Sequence, residues 1–349
     1  MPDARRKTIS EIRQETKSGS LTARLHGQIE DLTKKESTTG KPYYELRLRD
    51  GTDSLLLRAW SDTPAFDQCC DAGSGDPVEI EGEFLVNGSF GLEARRWRFR
   101  PLTPDETAAL FQGSEEARAA ADRDFESVTT LVGSIADPRL RGVCELFLAE
   151  FGARFRRAAA ARFNHHAHRG GLLRHTAQMM RSAAAVADAY PLLNRDLLLA
   201  GVLFHDSGKL WEMCPPENGF EMPRELRGEL LGHISIGIEL ANALWRKLPL
   251  EDWKELALPS EDVRLHLLHL IAAHHGELQF GSPVEPKTPE AIALHFIDNL
   301  DARLEMIFTA YDKNPEIAPG VFERVRALNA SPVRPLASTP SPDAAKPEA

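Results

Sequence analysis

Eleven of the twelve histidines in this 349-residue chain lie between His165 and His295, leaving only His26 outside. Among them are His175, the pair His205-Asp206, His233 and the pair His274-His275, with Asp298 further on, each on or at the end of a predicted helix. Imidazole and carboxylate ligands without thiolates suit a divalent ion such as manganese, iron, cobalt, nickel or zinc. The run AGVLFHDSGK carries His205 and Asp206 from wholly apolar sequence into the interior. A buried, unpaired imidazole or carboxylate is costly, and one shared cation satisfies several together. Any of these histidines taken alone reads more simply as a core residue bonded to a carbonyl, but five stations together favour a metal site. His266 and His269 are read as non-ligands. His274 and His275 should point apart, with His274 the favoured ligand. Spacing alone does not separate Asp298 from Asp301.

These residues need a helical frame, and the pattern supplies one. Helices are predicted from Asp137-Pro138 to about Arg162, over 172–189, over 195–205, and over 224–248 up to Pro249. Another spans 260–275, capped by Ser260 and stopped by Gly276, and a last one runs from Thr288-Pro289-Glu290 to about Tyr311. Before them, residues 19–103 alternate apolar and polar in five runs separated by turn signals, Asn87-Gly88 being the clearest hairpin. That is the strand count and size of a small closed barrel such as the OB-fold. The fold class is therefore a multi-domain α and β chain, a five-stranded OB-fold β-barrel followed by an all-α domain. The expected layout is an extension over 1–18, the barrel over 19–103, a part-helical linker over 104–128 and the helical domain over 129–315. An extension over 316–349, rich in Pro, Ala and Ser, is expected to be disordered from about 331.

Composition narrows the function classes. Lys+Arg 42 against Asp+Glu 52 gives a net charge of −10, which excludes a general basic field for nucleic acid or membrane. Four cysteines, two of them adjacent (Cys69 and Cys70), make no disulfide framework and point to a reducing compartment. The N-terminal stretch has no apolar core of a secretory signal, and the longest apolar run, Leu197 to Phe204, is far short of a membrane span. The expectation is a soluble, cytoplasmic protein.

Any grip on nucleic acid must then be local. Strand alternation places Tyr43, Arg47 and Arg49 on one face, with Arg58 and Trp60 of the next strand beside them. Rings interleaved with cations are what single strands bind, on the sheet face that OB-folds use. Arg95, Arg96, Arg98 and Arg100 add a cluster around Trp97. Residues 1–100 hold 16 Lys+Arg and 17 Asp+Glu, so the barrel is the less acidic part. The competing reading has Trp60 packing against the helical domain.

The constellation H…HD…D formed by His175, His205-Asp206 and Asp298 resembles the HD-domain superfamily of metal-dependent phosphohydrolases. More narrowly, HHAHRGGLLRHT, LLLAGVLFHDSGKL, LLGHISIG and HHGELQFGSPVEPKTPEAIALHFIDNLDAR are similar to the YhaM-type 3′→5′ exoribonucleases, which join an N-terminal OB-fold to a C-terminal HD domain. The resemblance implies one metal on His175, His205, Asp206 and Asp298, and a second on His233 and His274 with Asp206 bridging. Manganese is the favoured ion, with cobalt, iron, nickel, zinc and magnesium as alternatives. Lys209 would stabilise charge at the phosphate, the alternative being a surface lysine. His165, His166, Arg169, His275 and Arg303 are further candidates for phosphate or terminal-ribose contacts. The implied activity is hydrolysis of single-stranded RNA, or DNA, from the 3′ end to nucleoside 5′-monophosphates, with a homo-oligomer as a further expectation. The rivals are an HD phosphohydrolase of small nucleotides with a regulatory barrel, and a non-catalytic nucleic-acid-binding protein. The absence of GYP after HHG argues against the cyclic-dinucleotide branch of the superfamily.

Overall fold

The computed structural model describes residues 5–87, 91–162 and 166–336. The chain builds two hydrophobic cores, one drawn from Ile9 to Phe99 and the other from Val128 to Ile297.

The first core lies under one antiparallel sheet. A short helix α1 (Ile9–Glu15), held by a Thr8–Glu11 capping box, buries Ile9 and Ile12 in it, so part of the expected extension is structural. Strands β1 (Leu21–Glu36), β2 (Pro42–Arg49), β3 (Ser54–Trp60), β4 (Pro77–Asn87) and β5 (Gly91–Pro101) follow in the spatial order β3-β2-β1-β4-β5. Their alternation holds as read, with Leu46, Leu48, Leu55, Leu57 and Ala59 turned inward. Strand β1 is long enough to serve two partners. Its first half pairs with β4 and its second with β2, across an irregularity between Ile29 and Asp31 that bends it. The tip of the β4–β5 hairpin, Gly88 included, lies outside the described residues.

The predicted barrel is OB-like but not closed, because β3 and β5 form no ladder. The reason lies in α2 (Pro64–Cys70), which follows β3. Its Gln68 side chain accepts from the Phe99 amide at 3.0 Å and donates to the Phe99 carbonyl, occupying the edge groups of β5 that closure would use. The seam is spanned by a side chain, Trp97 Nε1 donating to the Arg58 carbonyl at 3.3 Å.

The expected linker is helical. It forms α3 (Pro104–Gln112), capped by Thr103, and α4 (Glu115–Gly133), capped by Ser114, and Val128 and Val132 of α4 enter the second core. That core is completed by α5 (Pro138–Phe155), α6 (Gly171–Ala189), α7 (Arg195–Phe204), α8 (Leu226–Trp245), α9 (Ser260–Ala273) and α10 (Pro289–Lys313). Three boundaries differ from the reading. Helix α5 stops at Phe155 instead of near Arg162. Ala158–Ala160 are fully buried, with the Ala159 amide on the Met213 carbonyl and the Ala160 amide on that of His166, so tertiary bonds override alanine's helix propensity. Helix α8 is broken inside by Gly232 at φ 69°. Ser260 is not a side-chain cap, its hydroxyl instead accepting from Arg139.

Residues 331–336, expected to be disordered, pair with a small hairpin of β6 (Glu316–Ala318) and β7 (Val321–Phe322) through a Val321–Val333 bridge. Among the described residues, no helix is long and apolar enough to cross a membrane.

Candidate metal centre

Asp206 follows the C-cap of α7 and is almost wholly buried, as are His175 from α6, His205 at that C-cap and His274 at the C-cap of α9. His233 comes from α8, one residue after its break, and Asp298 from α10. The two Asp206 oxygens look in different directions. Oδ2 lies 3.3 Å from His205 Nε2 and 3.8 Å from His175 Nε2, and His175 Nε2 is 3.3 Å from Asp298 Oδ1. Oδ1 lies 3.6 Å from His233 Nε2 and 3.7 Å from His274 Nε2. Six residues from five helices thus form two groups that share one carboxylate.

The hydrogen bonds fix which nitrogen each ring offers. Nδ1 of His205 donates to the Val202 carbonyl at 2.7 Å, that of His274 to the Ile271 carbonyl at 2.8 Å, and that of His275 to the Phe280 carbonyl at 2.7 Å. His175 Nδ1 sits 2.7 Å from Asp301 Oδ2, and His233 Nδ1 3.3 Å from Glu212 Oε2. With Nδ1 as donor, each Nε2 keeps its lone pair, the arrangement that metal-binding imidazoles require. Asp206 Oδ1, His233 Nε2 and His274 Nε2 are buried without a hydrogen-bond partner among the described residues. Three orphaned acceptors converging on one point fit a cation, because such groups are costly to bury otherwise.

Electrostatics support the same fit. Burial pushes the His274 imidazole well below the ordinary histidine value, and the neighbouring His205 adds to this, so the ring is neutral. Burial also lowers His175, but the Asp298 and Asp301 carboxylates outweigh it and raise the ring to about 9. A proton and a metal ion compete for such a nitrogen. Burial works against ionisation of Asp206, yet Lys209 and His205 hold it well below the usual carboxylate range. Lys209 is no surface lysine. It is 8% exposed, on the one-turn helix after Asp206, with Nζ 2.6 Å from Asp206 Oδ2.

The other candidates divide. His274 and His275 are expected to point apart, but both enter one cluster with His233, their centroids 4.2 Å apart, because α9 has ended at Ala273. His166 is buried behind the centre with Nε2 2.9 Å from Asp301 Oδ2, so it holds Asp301, and it also borders a cavity shared with Arg49. Arg169 donates to the carbonyls of Pro216, Glu217 and Gly219, which engages its guanidinium in holding a loop, and it borders a cavity that Arg49 and Arg174 also line. Arg303 is exposed with Nε on Asn299, and five helical positions turn it about 140° from Asp298. His165 lies outside the described residues. Asp301, left level with Asp298 by spacing, orients His175. Glu212 carried no sequence signal, since it comes from the loop after α7.

On the barrel, Tyr43 and Trp60 are direct cross-strand neighbours with ring centroids 4.6 Å apart and Lys41 over the indole. With Arg58, Arg95 and Arg96 they line an open groove of about 560 Å³ made of barrel residues alone. Trp60 therefore does not pack on the helical part. Arg47 shares that sheet face and is exposed, whereas Arg49 pairs with Glu30 at 2.9 Å and borders a second cavity between barrel and helices. The cluster read around Trp97 disperses. Trp97 is buried, Arg98 pairs with Glu81, and Arg100 pairs with Glu79 and Glu106.

The HD domain model matches residues 172–303, the stretch that supplies all six converging residues. Across nearly the whole chain, the protein is 34% identical to the 3′-5′ exoribonuclease YhaM of Bacillus velezensis, covering 86% of this chain and 90% of that protein. It is 33% identical to that of Bacillus subtilis, with 86% and 90% covered, and 34% identical to that of Bacillus licheniformis, with 87% and 92% covered. With its OB-like sheet, its buried histidine and aspartate centre and this full-length similarity, the chain belongs to the family of the YhaM 3′-5′ exoribonucleases.

Proposed function

We propose that the protein is a metal-dependent exoribonuclease that removes nucleotides from the 3′ end of single-stranded RNA and releases nucleoside 5′-monophosphates. The observation that carries the reading is the placing of Asp206 between two histidine groups, Oδ2 toward His175 and His205 and Oδ1 toward His233 and His274. In this reading His175, His205, Asp206 and Asp298 hold one divalent ion and His233, His274 and Asp206 a second, with manganese favoured. Such a pair supplies charge neutralisation at the scissile phosphate and a lowered pKa for the attacking water. The chain's own groups do the rest. Asp301 and the Val202 and Ile271 carbonyls fix ring orientation, the buried Lys209 ammonium stabilises negative charge developing at the phosphate, and His275, beside His233 and His274, serves as a contact for phosphate or the terminal ribose. The barrel, residues 19–103, stacks bases on Tyr43 and Trp60 while Arg47 and Arg58 meet the backbone, feeding the strand to the helical domain over 129–315. The cytoplasm is the proposed compartment.

The test is a time course on a 5′-labelled RNA oligomer with Mn²⁺, run beside Asp206→Ala protein, a matched DNA strand and a 3′-blocked strand. A descending ladder that requires Asp206 and a free 3′ end is expected, slower on DNA. If metal-loaded protein shortens neither strand but hydrolyses nucleoside triphosphates or cyclic nucleotides, the exonuclease reading is wrong.

A further inference from the structure

The segment that joins α9 to α10, residues 276–288, is held by three histidines outside the six converging residues. His295 Nδ1 donates to the His274 carbonyl at 3.0 Å, and its ring lies so close to Gly276 that a Cβ there would stand 2.3 Å from it. His275 Nδ1 donates to the Phe280 carbonyl at 2.7 Å, and the Lys287 amide donates to His269 Nε2 at 3.0 Å. Val284 packs against the helical core, and Ser282 is buried. Fixing a backbone in this way costs conformational entropy, which buried apolar side chains ordinarily offset. Here Leu278 and Phe280 are instead 61% and 60% exposed. A single exposed leucine is commonplace. An exposed phenyl ring on a backbone pinned beside a buried polar centre is a surface prepared for a ligand.

We infer that Phe280 is the stacking platform for the base of the nucleotide whose phosphate lies at the metal centre. The inference deepens the proposed function and rests on its nucleotide chemistry. Position supports it first. The Phe280 carbonyl is one hydrogen bond from His275, whose ring centroid lies 4.2 Å from that of His274 and 5.2 Å from that of His233. His275 therefore joins the centre to the platform, as the ribose joins phosphate to base in the ligand. Chemistry supports it next. A phenyl ring carries no hydrogen-bonding group and takes any base by its π-face, which suits an enzyme stepping through mixed sequence. Within 276–288, Glu277 and Glu285 outnumber Lys287, so the segment attracts a nucleotide through stacking and not through its phosphate. A ring whose backbone is already held also loses less freedom on binding. A protein partner fits less well, because two side chains offer far less than the roughly 800 Å² per partner of a standard interface.

Titration calorimetry of the full-length, Mn²⁺-loaded protein with adenosine 5′-monophosphate and with ribose 5-phosphate isolates the base. Wild type should bind the nucleotide about 5–150-fold more tightly, the worth of one stacked base. Phe280→Ala should bind the two alike, and Phe280→Trp should keep the preference, both with wild-type metal content by elemental analysis. Calorimetry reads binding alone, so protein that keeps this preference yet never shortens RNA would sink the exonuclease reading and leave the platform standing. A wild type that binds the two ligands alike, or binds neither, would overturn the inference. So would a Phe280→Ala protein that still prefers the nucleotide, or one that loses its metal together with both ligands, since the ring would then belong to the fold of the centre.

Discussion

Asp206 receives Lys209 at 2.6 Å on the oxygen that also faces His175 and His205, so substitutions around it can separate holding a metal from using it. Lys209→Met keeps the buried stem and all six converging donors while removing the ammonium. The turnover rate on RNA should fall by about 10²–10³, the usual loss on removing one preorganised charge, with metal content by elemental analysis unchanged. Equal loss of metal and rate would make Lys209 a scaffold for Asp206. Asp301 acts one step further out, 2.7 Å from His175 Nδ1 and 2.9 Å from His166 Nε2. Asp301→Asn keeps an acceptor for His175 but loses the charge, so metal affinity should fall about 10–100-fold. Competition with a fluorescent chelator measures that shift, and unchanged affinity would leave Asp301 without an orienting role.

At the scale of elements, the centre depends on backbone packing that only small residues permit. A Cβ on Gly208 would lie 2.0 Å from the His233 carbonyl oxygen, so the turn after Asp206 and the broken helix α8 meet backbone to backbone. Gly208→Ala must push His233 away from Asp206. Relief of such a clash costs about 1–3 kcal/mol in urea unfolding, together with a loss of bound metal, whereas full metal content would mean that the turn adapts. Helix α5 is tied to α9 by Arg139, which bonds Asp137 at 2.6 Å and reaches the Leu258 carbonyl and Ser260. Burial pushes the Asp137 carboxyl up, but Arg139 and the first α5 amides outweigh it and hold it below the ordinary aspartate value. A depressed carboxyl stabilises the fold above its unfolded value of about 3.9 and loses that contribution as pH falls through the folded one. Asp137→Asn should therefore cost about 2 kcal/mol at pH 7, less than a fully buried pair because Asp137 keeps some solvent. The gap to wild type should begin to narrow below about pH 4 and close only below the folded value, and a gap constant with pH would exclude the ion pair as its source. Much of this architecture was legible. Alternation placed all five strands, and the apolar run ending in His205-Asp206 announced a buried polar pair. Asp298 and Asp301 stayed level because both lie on one helical face. Arg169 and Glu212 were opaque because their partners lie in loops, where no periodicity says what comes near. Alanines 158–160 misled because propensity speaks for a helix while their amides bond across the fold.

For the molecule as a whole, the question is how a chain of net charge −10 holds a polyanion. Barrel and helical body meet through Gln28, whose Oε1 accepts from the Phe220 amide at 2.9 Å, and through Lys313 near Asp53, while Phe111 of α3 packs against the same Phe220. Between them lies a cavity of about 250 Å³, bordered by Arg49, Arg169, Arg174 and Lys313 against Asp50, Asp53 and Glu305, so its formal charges nearly balance with a slight positive excess. The groove with Tyr43 and Trp60 stands apart on the barrel's outer face, where Arg58 is already opposed by Glu45 and Glu93 at 3.4 and 3.6 Å. Stacking should then outweigh charge in holding the strand. Tyr43→Ala/Trp60→Ala removes two rings worth about 1–3 kcal/mol per stacked base. KM for a long single-stranded RNA should rise at least tenfold, while kcat and the rate on a dinucleotide too short to span both sites stay near wild type. The salt dependence of KM should be shallow, since few phosphate charges are neutralised. If the double variant instead loses rate equally on the dinucleotide and the long strand, the two rings belong to the stability of the barrel, and the strand reaches the centre by another face.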